Sequence, residues 1–125
     1  MTVRNSPCAI LSLFLISGCG TQRVISFQND VEPILNDKCL ECHKPPNGVG
    51  YVRTGLDMES YDTLMRGTMF GTVIIPGDSR RSVINKLTEG RAGELMRMPH
   101  GEAKKLTTEE IELLKLWVNQ GALNN

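Results

Sequence analysis

Cys39-Leu40-Glu41-Cys42-His43 is the stretch that decides how this chain is read. Two cysteines two residues apart, followed at once by histidine, form the signature of c-type haem attachment. The spacing has a physical reason. Two residues between the thiols let both sulfurs reach the vinyl groups along one edge of a porphyrin. A histidine directly after the second thiol can then turn its imidazole beneath the ring and ligate the iron. Two other chemistries share the Cys-x-x-Cys spacing. A redox dithiol belongs in the strand–helix alternation of a thioredoxin-like fold, which the flanking sequence lacks. A zinc site needs four tetrahedral ligands, and only His43 and His100 are available to add.

Outward toward the N-terminus, residues 1–18 read as an export signal. Arg4 and the free amine give a positive start, and Ala9 to Ile16 form a short apolar run. That run is far below the ~20 apolar residues of a spanning helix. It ends in Ile16-Ser17-Gly18-Cys19, which resembles the lipobox of bacterial lipoproteins: an aliphatic residue, two small residues, then cysteine. The resemblance implies cleavage before Cys19 and acylation of that cysteine, with stable anchoring once two or more chains are attached. An ordinary secretory signal with a cysteine at its cleavage site is the alternative. Gly20, where aspartate would stand in an inner-membrane lipoprotein, implies the outer membrane. All four cysteines are then assigned. Cys8 leaves with the signal, Cys19 carries lipid, and Cys39 and Cys42 remain for the cofactor. The expected organisation is a signal over 1–18, a lipidated tether over 19–25 and one domain over 26–125.

Composition agrees with one small exported domain. A chain of 125 residues has room for one core. The formal net charge of zero excludes the basic footprint of a nucleic-acid-binding protein. With 40% hydrophobic residues and balanced charge, disorder is excluded as well. Twelve glycines and six prolines imply a loop-rich fold with little surface to bury. Such a domain needs a staple, and a covalent haem supplies one.

Phe27, Val31 and Ile34 share a helical face, which predicts a first helix from about Ser26 to Asp37. Pro33 fits only a first turn or a kink, so that helix is expected to be distorted or to start late. Lys44-Pro45-Pro46-Asn47-Gly48 breaks the chain after His43, and a carbonyl in that stretch is a candidate acceptor for the far nitrogen of the imidazole. A short helix is predicted over Ser60–Arg66, closed by Gly67, and an extended segment over Val73-Ile74-Ile75. Asp78 or Ser79 is expected to cap a further helix, with Val83, Ile84 and Leu87 inward and Gly90 as its stop. The last helix is the clearest. Thr107-Thr108-Glu109-Glu110 is a capping box, Leu106 and Ile111 are placed for a hydrophobic staple, and Ile111, Leu114, Trp117 and Val118 make a core-facing stripe ended by Gly121.

An electron carrier usually closes both axial positions of its haem, and methionine is the ligand that raises the potential. Met58, Met65, Met69, Met96, Met98 and His100 follow the motif. Met65 falls in a predicted helix and reads as core. The irregular loop Glu94–Gly101 precedes the last helix and is the better place for a distal ligand.

At this point a resemblance enters. Phe27-x-x-x-Val31-x-Pro33-Ile34-Leu35, Cys39-x-x-Cys42-His43, Gly55-Leu56-Asp57, Pro76-Gly77-Asp78, Arg97-Met98-Pro99, Leu106-Thr107-x-Glu109-Glu110-Ile111 and Trp117-x-x-Gln120-Gly121-Ala122 occur in order. Together they resemble the class I cytochrome c-like domains of bacterial exported proteins, including the planctomycete-type set. The resemblance implies an all-α fold of about four short helices wrapped around one haem c. It makes His43 the proximal ligand and Met98, in its Arg-Met-Pro stretch, the distal one. Family members usually continue with a second proline, where this chain has His100; His100, Met96 or an open position are therefore the alternatives. The expected function is single-haem electron transfer in the periplasm or at the outer membrane, without catalysis. The expected form is a monomer working with redox proteins and held to the membrane by lipid. A ligand sensor or peroxidase-like enzyme with a displaceable sixth ligand is the rival, and a haem-free lipoprotein keeping a dithiol is a third.

Overall fold

The computed structural model describes residues 22–125; the signal over 1–18 and the acylation site at Cys19 lie outside the described residues. The fold is all-α, several short helices with no β-sheet among the described residues, in keeping with a small class I cytochrome c-like arrangement. The chain enters through a π-helical turn, Phe27–Val31, which runs directly into α1, Glu32–Lys38. This is the distortion that Pro33 demands. The Val31 and Glu32 N–H groups bond five residues back, to Ser26 and Phe27, and Pro33 then sits in the first turn of α1, where a missing N–H costs nothing. The Ser26 hydroxyl accepts from the Asn29 N–H and caps the entry.

α2, Val49–Thr54, is a helix that the apolar pattern does not announce, since it buries none of its residues. α3, Tyr61–Arg66, starts on a capping box between Ser60 and Thr63 and stops at Gly67, whose positive φ of 79° suits glycine alone. Val73 and Ile74 are buried in an extended segment that is not a strand. α4, Val83–Thr88, differs from expectation. Its N-cap is Ser82, because Asp78 and Ser79 belong to a separate turn in which the Asp78 carbonyl accepts from the Ser82 N–H. Val83 is exposed, and Asn85 and Thr88 turn inward with Ile84. A 3-10 turn, Glu94–Met96, opens the distal loop. α5, Thr108–Asn119, carries the expected capping box: the Thr107 hydroxyl accepts from the Glu110 N–H at 3.1 Å, and the Glu110 carboxylate accepts from the Thr107 N–H at 2.7 Å.

The core forms where α1 and its π-turn cross α5. Leu114, Trp117 and Val118 pack there with Val31, Ile34 and Leu35, all buried. Phe27, Tyr61 and Trp117 make an aromatic cluster with ring centroids 5.2 to 6.5 Å apart, and Phe27 meets Tyr61 edge-on. The Trp117 indole donates to the Leu123 carbonyl and the Tyr61 hydroxyl to the Ala122 carbonyl, so neither polar handle is stranded. Ile25, read as the end of the tether, is part of this core, and its N–H donates to Gln120. Lys38 closes the far end of the crossing. Its side chain is 3% exposed, and its ammonium lies 3.0 Å from the Asp37 carboxylate and 3.6 Å from that of Glu110. The last turn of α1 is thereby tied to the first turn of α5, beside Cys39.

Candidate haem site

Cys39 ends α1, its N–H still bonded to the Leu35 carbonyl at 2.9 Å. The motif then folds into a tight turn: the N–H groups of Cys42 and His43 both donate to the Cys39 carbonyl, at 3.1 and 3.0 Å. Two later segments clamp it. From α2, Gly50 and Tyr51 donate to the Cys42 carbonyl at 2.8 and 3.0 Å, and Met58 donates to the His43 carbonyl at 2.8 Å. The helix that the apolar pattern misses therefore exists to close on the motif.

Glycine makes that closure possible. A Cβ on Gly50 would fall under 3.0 Å from Cε1, Nδ1 and Nε2 of His43, so the α2 backbone lies against the imidazole. A Cβ on Gly48 would meet the carbonyl oxygens of Cys42 and Lys44 equally closely. The Gly48-x-Gly50 spacing is the sequence signal of this packing, and the motif alone does not reveal it.

Burial of the His43 ring pushes its pKa below the ordinary value, the Leu56 backbone works the other way, and the charge of His100 adds to the depression. A neutral imidazole is the form that ligates a metal. His43 Nδ1 is buried with no hydrogen-bond partner of good geometry. The expectation that Lys44–Gly48 supplies an acceptor is corrected here. The Lys44 carbonyl is used by the Gly48 N–H, and Leu56 is the backbone group that acts on the ring.

Cys39 and Cys42 are free and half-buried. Burial raises the Cys39 pKa to about 11, with Cys42 and Glu110 adding to the effect. A thiol so raised is protonated at neutral pH and is itself a poor nucleophile. Among the described residues no three His, Cys, Asp or Glu side chains gather as a zinc site requires.

On the other side of the molecule the distal loop returns toward the site. The Met98 N–H donates to the Leu87 carbonyl at the end of α4, at 3.1 Å. Lys105 steadies the loop through the carbonyls of Pro99 and Gly101, at 2.6 and 3.2 Å. Here the protein encloses a cavity of about 420 Å³ whose walls include Thr88, Met98, His100, Leu106 and Ile111. Met98 is half-buried, whereas His100 is exposed at the mouth. Met96 is half exposed on the 3-10 turn and does not line the cavity. Met58 is buried in the core, Met65 packs against it, and Met69 is exposed. Cys39, Cys42 and His43 are not in the cavity wall; the influence of His100 on His43 is the electrostatic link between the two sides.

These residues fit a haem c: two adjacent unpaired thiols, a neutral imidazole with an orphaned nitrogen in a glycine cradle, and a cavity bearing a thioether and a second imidazole. An all-α shell built around such a motif defines a c-type cytochrome domain. The family model of the planctomycete cytochrome c matches residues 39–102, about half of the chain, from the first cysteine of the motif to just beyond the distal loop. The chain belongs to that family. Searches of the curated proteins and of the solved structures found no match.

Proposed function

We propose that this protein is an exported, single-haem c-type cytochrome that carries electrons at the bacterial cell envelope. The observation that carries the reading is the Cys39-x-x-Cys42-His43 turn, clamped by α2 so that a neutral imidazole is presented beside two free cysteines. Cys39 and Cys42 form the thioethers, His43 is the proximal ligand, and Met98 is the distal ligand. Haem c supplies a one-electron ferrous–ferric couple when bound. The chain's own work is to attach it, exclude water around it and set its potential through ligand choice and burial. No helix among the described residues is long and apolar enough to cross a membrane. Cys19 provides the anchor by acylation, and Gly20 favours the outer membrane. The domain works as a monomer that docks transiently with redox proteins.

His100 in the same cavity supports a second reading, in which the sixth position is displaceable and the protein senses a ligand or has peroxidatic activity. Optical spectra of ferric and dithionite-reduced protein, with and without carbon monoxide, separate the two. The weak far-red band of methionine-ligated ferric haem and indifference to carbon monoxide are expected of the carrier. Carbon monoxide binding without that band would replace it with the sensor.

A further inference from the structure

Among the described residues, four buried side-chain nitrogen or oxygen atoms lack a hydrogen-bond partner. One is His43 Nδ1; the other three are Asn85 Nδ2, Asn85 Oδ1 and Glu89 Oε1, one helical turn apart at the end of α4. The Asn85 case is the sharper. The residue is 0% exposed, and a buried amide left unpaired costs about 1–3 kcal/mol. The hydroxyls of Ser82 and Thr88, at either side of it, are satisfied. The Ser82 hydroxyl donates to the Asp78 carbonyl and accepts from the Ile75 N–H, and the Thr88 hydroxyl donates to the Ile84 carbonyl. Glu89 spends its other oxygen on Arg91.

Its place on the helix says what the amide is kept for. Thr88, three residues on and so on the same face, lines the distal cavity. The Leu87 carbonyl between them holds the Met98 N–H. We propose that Asn85 is a positioning residue of the distal haem pocket, its carboxamide N–H₂ reserved for an acceptor that the loaded site supplies. This rests on the haem reading above. The acceptor is either the Met98 thioether, once that sulfur turns to the iron, or a carboxylate of the haem itself. In both cases the donated hydrogen bond draws electron density away from ferric iron and favours the ferrous state, the hydrogen-bonding lever on a haem potential.

The test is redox titration of the full-length, haem-loaded protein and its variants N85L and N85S. N85L keeps the branched outline with somewhat more bulk and removes both polar groups; N85S keeps a shorter donor. A hydrogen bond worth about 1 kcal/mol corresponds to an about fivefold change in an equilibrium. N85L is therefore expected to lower the ferrous-to-ferric ratio at a fixed ambient potential, by up to about fivefold, with N85S between it and the parent. Repeating N85L in an M98H background identifies the acceptor. Loss of the effect there assigns it to the Met98 sulfur, and persistence assigns it to the haem carboxylate. Haem-loaded N85L and N85S with the parent's potential and spectrum, and only altered stability, would overturn the inference and leave the amide to an internal water. Should N85L not fold, N85S decides on the same readout. Parent protein without covalent haem would overturn the proposed function, and this inference with it.

Discussion

Replacing Gly50 by alanine sets two effects of known size against each other. Gly50 lies in the first turn of α2 without a positive φ, so its backbone accepts alanine. Helix propensity alone would then make G50A more stable, by at most about 1 kcal/mol. Against this, the new methyl group would fall under 3.0 Å from three atoms of the His43 ring. The ring cannot simply withdraw. Its backbone is pinned by the Cys39 carbonyl on one side and the Met58 N–H on the other, at 3.0 and 2.8 Å. Forcing an extra carbon into such a contact costs about 1–3 kcal/mol. The steric cost wins, and a net loss of about 1–2 kcal/mol is expected, which lowers Tm by roughly 4–8 °C per kcal/mol in a domain of this size. Thermal unfolding of the haem-loaded protein measures it, with the optical spectrum reporting the displaced ligand. V52A, on the exposed side of the same helix, serves as control. A G50A protein that is more stable than the parent and has the parent's spectrum would refute the placement of the imidazole against α2.

Three further outcomes are expected. M98A abolishes the far-red band of ferric methionine-ligated haem and lowers the potential, while M96A, on the half-exposed turn outside the cavity, changes neither; the two spectra decide between them. T107A removes the hydroxyl that caps α5 and costs about 1 kcal/mol, read as a lower urea midpoint at constant slope. Asp30 titrates below its ordinary value of 3.8, chiefly because its carboxylate accepts from the Ser26 N–H, with Arg23 assisting against the effect of burial. A carboxyl with a depressed folded pKa adds stability above its unfolded value and loses it as the pH falls through the folded one. Urea midpoints between about pH 5 and pH 2 should therefore fall more steeply for the parent than for D30N, and parallel curves would remove Asp30 from the account.

How far the sequence shows the fold depends on where the determining contacts lie. α5 is legible almost residue by residue, since Thr107 and Glu110 satisfy each other's backbone and Leu114, Trp117 and Val118 recur at helical spacing. α3 is legible for the same reason, from Ser60 at one end to Gly67 at the other. At Pro33 the pattern predicts a distortion but not its form, because a π-turn is one of several ways to avoid a missing donor. α2 is invisible. Its residues bury nothing and have no stripe, and what holds it is the Cys42 carbonyl and a flat imidazole. On α4 the apolar pattern turns Val83 inward and passes over Asn85 and Thr88, since buried polar residues look like surface residues in one dimension. The site divides in the same way. Its covalent half is contiguous and reads directly, whereas the cavity wall gathers Thr88, Met98, His100, Leu106 and Ile111 from separate elements. Leu106 and Ile111, read as a staple for α5, also form part of that wall.

The central claim is tested most directly by denaturing the cytochrome-matured protein, extracting it with acidified solvent and assaying what remains on the chain as the pyridine haemochrome, alongside intact mass. The account predicts one haem per polypeptide, retained through extraction by thioethers at both Cys39 and Cys42, and lost in the C39A/C42A double variant. A chain that emerges without haem, or whose haem is removed by the solvent, would contradict it.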